Sequence, residues 1–561
     1  MTIILLAPLA QAQVSIQGVS EDMAAAIRAG MSLPETCDQS EWLVRYRFRS
    51  SKQEIATSLQ TYGYYSPVIS ADLHFDSKCW HADFKIDPGP PAIIANDHIE
   101  IQGEGAGMPA FTRILAASSI KQGARFDQDG WEALKTAIEN AATRFGFRQG
   151  HFKAHEARVD ADHNRVDVDL VYDTGPRYRF GKTTFDSSKL DEDLLRRYIP
   201  WKEGEPFDGQ KLGVLYQSLL DSGYFSDALI DSSHVSGTAI DIHVGLTLAR
   251  RARSRIGLGY STDLGPSLSV GRKVERINKR GHQLNTQFSM SPVETTFTGE
   301  YRIPRVEDKA AWISIYGGYL GQHTSTSKTS KSTLGVRRVI PLRNLWIETP
   351  YVEITNDRSY VSGLQTSNLA IVPGISFSRT HSDSLSGRPR RAESVALALS
   401  GTSRALGSTL DYFRVTANAK LIRSVTDRIR FIGRGEVGAV LTSDFTRVPA
   451  DVRFFTGGDN SVRGYGFNEI GARDANGNLV GGDRLIVGSA ELDFAVKSHW
   501  AIATFVDTGS VSISSIPAKF ERSVGIGLRW YSPIGPIRVD FARPIAAGRG
   551  IKLHISLGPD L

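Results

Sequence analysis

The chain has 561 residues, a formal net charge of +6, 41% hydrophobic residues and 9% aromatic residues. That length exceeds one ordinary domain, and that composition excludes a disordered chain. No internal run reaches ~18 apolar residues, so no membrane-spanning helix is expected, whereas spanning β-strands leave only a faint hydropathy trace. The charge is modest and spread out, with no basic block interleaved with aromatics, which argues against a nucleic-acid partner.

Residues Thr2 to Ala12 read as a short apolar core closed by Ala10-Gln11-Ala12, a small-residue cleavage pattern. No basic residue precedes the core, so the signal is atypical or its start lies upstream. A buried first strand is the competing reading. Secretion is favoured because Val14-Ser15-Ile16-Gln17-Gly18-Val19 already reads as a first strand. Two cysteines occur, Cys37 and Cys79, both in the N-terminal segment. In an oxidising compartment they are expected to pair. A metal site there is not expected, because there is no C-x-x-C and no histidine at ligand spacing.

Residues 14 to 249 contain a threefold repeat with a period of about eighty residues. The first copy has a helical stretch from Lys52 to Tyr62, then Gly63-Tyr64-Tyr65, then alternating segments Val68–Phe75 and Cys79–Ile86, closing at Pro88-Gly89-Pro90. The second has Gln128 to Phe145, then Gly146-Phe147, a strand ending at Tyr172, and Thr174-Gly175-Pro176. The third has Gly209 to Ser222, then Gly223-Tyr224-Phe225, then Thr238–Val244. Each glycine suits a left-handed helix cap, and each aromatic packs back on a small core. Two alternating strands then form a hairpin with one buried face. The unit order is β-α-α-β-β. Open edges in such units suit strand addition by an extended client, or the units serve as spacers.

From about Arg250 the period changes to two. Ile256, Leu258 and Tyr260 share one face, with Gly257 and Gly259 on the other. Val524-Gly525-Ile526-Gly527-Leu528-Arg529-Trp530 repeats this, with Arg529 inward, and Ile537–Phe541 and Ile551–Leu557 put polar residues in and apolar residues out. A soluble sandwich also alternates, but the number of segments and their glycine-rich inner faces favour a barrel. About 310 residues remain, enough for roughly sixteen strands. The last segment is followed by Gly558-Pro559 and ends at Leu561. Proline donates no N–H, so the first–last seam is expected to be short of hydrogen bonds.

Late in this region stand two motifs: Ser461-Val462-Arg463-Gly464-Tyr465-Gly466 in a polar glycine-rich loop, and Phe505-Val506-Asp507-Thr508-Gly509 in an alternating strand. Together with the repeats they resemble the POTRA–barrel assembly superfamily of outer membranes, which is related to BamA. The number of repeats, and Gly259–Pro266 with Asn278–His282 and Ser291–Glu294, resemble its three-repeat TamA-type branch. The resemblance implies an α+β POTRA series followed by an all-β transmembrane antiparallel barrel of about 16 strands. Its domains would be a signal peptide at 1–12, POTRA units at 13–91, 92–176 and 177–249, and the barrel at 250–561. It implies that Arg463 reaches into the barrel lumen and meets Asp507, with Val462, Gly464 and Tyr465 shaping the loop and Phe505 and Gly509 the strand. It also implies a non-enzymatic outer-membrane factor with periplasmic POTRA units. Its partners would be an inner-membrane-anchored TamB-type protein, unfolded outer-membrane clients and outer-membrane lipid.

No catalytic residues or cofactor are expected, since G-x-S-x-G and H-E-x-x-H are missing. Asp474-Ala475-Asn476-Gly477-Asn478 fails as a calcium loop because Leu479 and Leu485 occupy ligand positions. The arginines at 250, 251, 253 and 255 suit either lipid phosphates or a solvated hinge. The lateral seam is expected between Ile256, Leu258 and Tyr260 of the first strand and Ile551, Leu553, Ile555 and Leu557 of the last. A passive channel or two-partner-type secretion pore is the alternative function.

Overall fold

The computed structural model describes residues 13–76, 79–186, 189–305, 309–384, 388–532, 535–546, 548 and 550–557. The leader reading for 1–12, Gly558-Pro559 and Leu561 lie outside the described residues. Contacts divide the chain into two compact units. One runs to Asp186 and takes in Pro200–Gln217 and Leu229–Gly245. The other holds Ser218–Ala228, Leu246–Leu561 and the short stretch ending at Ile199.

The first repeat comprises β1 (Gln13–Gln17), α1 (Glu21–Gly30), α2 (Glu41–Gln60), β2 (Val68–Phe75) and β3 (Trp80–Asp87). Its sheet order is β1-β3-β2, with β1 parallel and β2 antiparallel to β3. On β3, Trp80, Ala82, Phe84 and Ile86 face the core, where they meet Ile27, Val44, Ile55 and Leu59 of the helices. The second repeat, β4 (Ile93–Gln102), α3 (Pro109–Ala117), α4 (Gln128–Arg144), β5 (His151–Asp160) and β6 (Arg165–Asp173), forms the equivalent sheet β4-β6-β5. The third is β7 (Arg179–Phe185), α5 (Glu192–Arg196), α6 (Gly209–Asp221), β8 (Phe225–Asp231), β9 (Val235–Ser236) and β10 (Ala239–Leu248). The last-formed strand is central each time, so each sheet leaves its first and second strands as edges.

Gly63, Gly146 and Gly223 have φ of 83°, 81° and 75°, the left-handed cap conformation that a Cβ opposes. Helix α2 starts eleven residues before the Lys52 expected from sequence. Ser40 caps it, its side chain accepting from Leu43 N. Its first turns present Trp42 and Tyr46, 72% and 62% exposed, on the outer face, and these hide the apolar period that Val44 shares with Ile55 and Leu59.

The second unit contains a closed sixteen-strand barrel, each strand antiparallel to its neighbours. Its first half is β11 (Ala252–Ser261), β12 (Gly265–Val274), β13 (Gln283–Met290), β14 (Glu294–Pro304), β15 (Trp312–His323), β16 (Ser327–Pro341), β17 (Trp346–Val361) and β18 (Leu364–Ser382). The rest is β19 (Arg391–Thr402), β20 (Tyr412–Ser424), β21 (Ile429–Leu441), β22 (Arg484–Lys497), β23 (Trp500–Ser512), β24 (Glu521–Ser532), β25 (Gly535–Pro544) and β26 (Lys552–Leu557). No helix among the described residues is long and apolar enough to cross a membrane. The outer wall carries the apolar residues: Ile256 and Leu258 are 76% and 78% exposed, and Val506, Ile526 and Phe541 are exposed too. In lipid that surface is satisfied, and the closed ladder leaves no backbone edge except at the seam.

The seam joins the first strand of the barrel, β11, to the last, β26. On its other side β11 sets Ile256, Leu258 and Tyr260 against Val270, Leu268 and Pro266 of β12. Leu553, Ile555 and Leu557 pair with β25, Ile555 also bonds Thr262 across the seam, and Ile551 lies before β26 begins. Among the described residues, Ser261 and Ser556 are the one pair in register between β11 and β26.

Cys37 and Cys79 are bonded to each other at a sequence separation of 42. They tie the chain between the two helices of the first repeat to the start of β3. On the chain-entropy account a loop of this size stabilises by roughly 3–4 kcal/mol. Reductant, or Cys79→Ala, should therefore lower the unfolding midpoint of the first repeat. Identical denaturant midpoints with and without reductant would refute this.

Candidate functional site

The 42-residue connection between β21 and β22, residues 442–483, folds inward and builds its own core. Val448, Val452, Phe454, Val462, Tyr465 and Ile470 pack with Val440, Leu485 and Val487 of the wall. Backbone bonds fasten Arg453 N to Pro449 O at 3.2 Å and Phe454 N to Gly482 O at 2.8 Å. Asp474 accepts from Asn476 N and Asn478 N at 2.9 Å each, forming a tight polar turn at the loop's far end.

Arg463 is 2% exposed and Asp507 is fully buried. The guanidinium meets the carboxylate edge-on, Nε to Oδ2 at 2.7 Å and Nη2 to Oδ1 at 2.9 Å. The Arg463 backbone N–H also donates to Asp507 Oδ2 at 3.1 Å. Nη1 turns to Glu491 at 2.6 Å and Asp540 at 3.1 Å. The guanidinium carbon lies 3.3 Å from the centroid of the Phe505 ring. A fork of five donors suits this enclosure of three carboxylates and one ring face better than an ammonium would.

The enclosure extends along the wall. Arg529 donates to Glu491 at 2.9 Å and Asp540 at 2.5 Å. Arg430 donates to Asp493 at 2.5 Å, and the Tyr531 hydroxyl donates to the same carboxylate at 2.8 Å. Ser489 Oγ donates to Asp507 at 2.6 Å and accepts from Arg434 at 3.0 Å. Arg430, Arg434, Arg463 and Arg529 thus face Glu491, Asp493, Asp507 and Asp540. Opposite charges interleave through the cluster, as buried ions require.

Period two puts Phe505, Asp507 and Gly509 on the inner face of β23. A Cβ on Gly509 would lie 2.6 Å from Val462 Cγ2, so the glycine is the seat for Val462. A Cβ on Gly525 would strike the Phe505 ring, and one on Gly527 would strike Asp540 and Arg529. The glycine-rich inner faces are therefore room for the charge cluster. Gly464 has φ of 92°, and its Cβ would meet Pro544 at 3.1 Å. Tyr465 is 1% exposed and its hydroxyl donates to Glu521 at 2.6 Å.

Sequence analysis brought forward Arg463 and Asp507 and placed Arg529 and Asp540 on inner faces, but it missed Glu491 and Asp493. The alternation Ser489-Ala490-Glu491-Leu492-Asp493 would have found them. It also missed Asp263, Asp459 and His554, whose side-chain ligand atoms lie within 4.8 Å of one another. Those atoms are engaged with one another and with backbone N–H groups, so they form a hydrogen-bonded group and not an open metal centre. The Ile256, Leu258 and Tyr260 row is remote from the lock, on the outer wall.

Arg463→Ala should leave buried carboxylates unpaired, at a cost of roughly 3–5 kcal/mol. Arg463→Lys should fail to restore it, since one ammonium cannot replace the fork. In a double-mutant cycle, the losses from Arg463→Ala and Asp507→Ala should be strongly non-additive, and additive losses would show that the two side chains act independently.

Two family models match the chain. The Omp85 superfamily domain covers residues 276–558, and the POTRA domain TamA domain 1 covers residues 13–88. The outer membrane protein assembly factor BamA of Nitratidesulfovibrio vulgaris is 24% identical over 416 residues, covering 70% of this chain and 52% of that protein. The protein of the same name from Neisseria meningitidis is 21% identical over 577 residues, covering 90% and 72%. The chain thus spans about half the length of the first of these relatives. The crystal structure of Haemophilus ducreyi BamA lacking POTRA domains 1–3 superposes with a TM-score of 0.69 at 16% identity, covering 82% of this chain and 99% of that one. That likeness carries the fold.

Proposed function

This chain belongs to the Omp85 superfamily, and from that premise we propose that it assembles client proteins into the outer membrane by offering them the edge strands at its barrel seam. It lies in the outer membrane, with its POTRA units in the periplasm. The observation that carries the reading is the seam itself, where, among the described residues, one pair is in register between β11 and β26, against sixteen pairs joining β17 to β18. A net hydrogen bond is worth only ~0.5–1.5 kcal/mol, so parting these strands costs little. Once parted, two backbone edges face lipid, where unpaired groups are costly. An incoming strand that pairs with them relieves that cost, so the joint templates strand addition.

The finer reading is of the TamA type. Its support is the match of the first repeat to a TamA-type POTRA domain and the presence of three repeats. On this reading autotransporter-like barrels are the clients and an inner-membrane-anchored TamB-type protein is the partner. The exposed strand β2, an edge of the first repeat, supplies a pairing surface for an extended segment. On this reading the chain works without catalysis, its buried charges serving to seat a loop.

A passive pore is disfavoured by the inward loop, whose core packs against the wall. Cross-linking Ser261→Cys to Ser556→Cys should abolish client insertion in a depletion background, and reducing the cross-link should restore it. Full insertion by the cross-linked protein, or a steady conductance unaffected by deletion of residues 456–470, would favour the pore.

A further inference from the structure

Three segments far apart in sequence meet beside the seam: the turn between β11 and β12, the inward loop, and β26. His554 on β26 is 4% exposed and Asp459 in the loop is 8% exposed. His554 Nδ1 lies 2.6 Å from Asp459 Oδ1. His554 Nε2 accepts the Gly464 N–H at 2.8 Å. That second bond assigns the proton to Nδ1, so the neutral ring is a donor to Asp459 and an acceptor from Gly464. Across the seam, Asp263 Oδ2 accepts the Asp459 N–H at 2.7 Å, and Asp459 Oδ2 accepts the Asp263 N–H at 3.3 Å. A Cβ on Gly458, whose φ is 114°, would collide with the Asp263 carboxylate. Lys552 of β26 adds an ion pair to Glu469 of the loop at 2.7 Å.

Direct strand-to-strand bonding is meagre by comparison. Among the described residues, beyond the pairing of Ser261 with Ser556, it consists of Thr262 N to Ile555 O at 3.0 Å, Thr262 Oγ1 to Ile555 O at 3.3 Å and Ile555 N to Thr262 Oγ1 at 2.6 Å. The loop touches both sides of this joint. Within it, Arg463 is held by Asp507 while its neighbour Gly464 holds His554, so consecutive residues tie β23 and β26 to one piece of chain.

We propose that Asp263, Asp459 and His554 form a latch through which the seated loop, more than strand pairing, holds the seam closed. Seating of the loop and closure of β11 onto β26 are then one event. Unseating Arg463 withdraws Gly464 and Asp459 and leaves, among the described residues, the Ser261–Ser556 pairing and the few Thr262–Ile555 bonds. These are positioning residues: they act through the strands they hold. The inference rests on the reading that the seam opens, and it names what governs the opening. One internal strain tunes it. Asp263 and Asp459 present two carboxylates to each other, and burial together with the Asp459 charge pushes the Asp263 carboxyl up to about 6. Asp263→Asn keeps an oxygen for the Asp459 N–H and removes one of the facing charges, so it should tighten the joint.

The test is hydrogen exchange on the full chain in lipid nanodiscs, resolved at the amides of Thr262, Gly464 and Ile555. Asp459→Ala and His554→Ala should each reduce protection at all three together by tenfold or more. Amides in the β22–β23 ladder should not change. Arg463→Ala should lower protection at Ile555 although it touches neither seam strand. Asp263→Asn should raise protection at Ile555, which keeps the test decisive if an alanine variant fails to fold. Unchanged protection at Thr262 and Ile555 in the Asp459 and His554 variants would overturn the latch, whatever client insertion does. Lost protection with undiminished client insertion would leave the latch standing and overturn the assembly reading instead.

Discussion

Burying a guanidinium inside a protein is tolerable only when its charge and every donor are answered, and that constraint organises the barrel interior. Arg463 is answered by Asp507, Glu491 and Asp540, and the last two must in turn be answered by Arg529. Four neighbouring strands therefore owe their inner faces to one side chain from a distant loop. The glycines at 509, 525 and 527 follow from the same demand, since each vacates the volume that the loop or its partners occupy. Such a cluster is poor in net stabilisation compared with apolar packing, but it accepts one geometry and rejects near misses. It suits a loop that must sit in one place or leave altogether.

The loop's apolar core works alongside this. Val462 and Tyr465 flank Arg463 and are buried against the wall, so the charged contact is shielded on both sides. Shielding raises the strength of each ion pair and the cost of breaking only one of them. Release is thus expected to be cooperative over the whole tip of the loop, residue by residue loosening being the costlier route.

Much of this could be read from the chain before its fold was known. The Gly-aromatic signals after Tyr62, Phe145 and Ser222 located three repeats, because a left-handed cap tolerates glycine for local reasons. Period two after Arg250 located the barrel for equally local reasons. Arg463 and Asp507 were found through resemblance, and spacing alone would not have joined them. The start of α2 was hidden by Trp42 and Tyr46, which are apolar yet face outward. Alternation put the seam row on the outer face, but alternation tells which face a residue is on and not which strand lies beside it. Asp263, Asp459 and His554 carried no local signal at all: nothing in the neighbourhood of any one of them requires the other two.

The single Ser261–Ser556 register has a bearing on how the barrel itself is made. Every other neighbouring pair of strands in the wall is consecutive in sequence, so each closes a far shorter stretch of chain, at most the 42-residue connection between β21 and β22. The seam closes a ring of almost three hundred residues, and the entropy lost in closing a loop grows with its length. Contacts of long sequence separation form late. The joint that the finished protein would part for others is therefore expected to be the last one its own chain completes, and a copy of this barrel awaiting closure would present the same two edges.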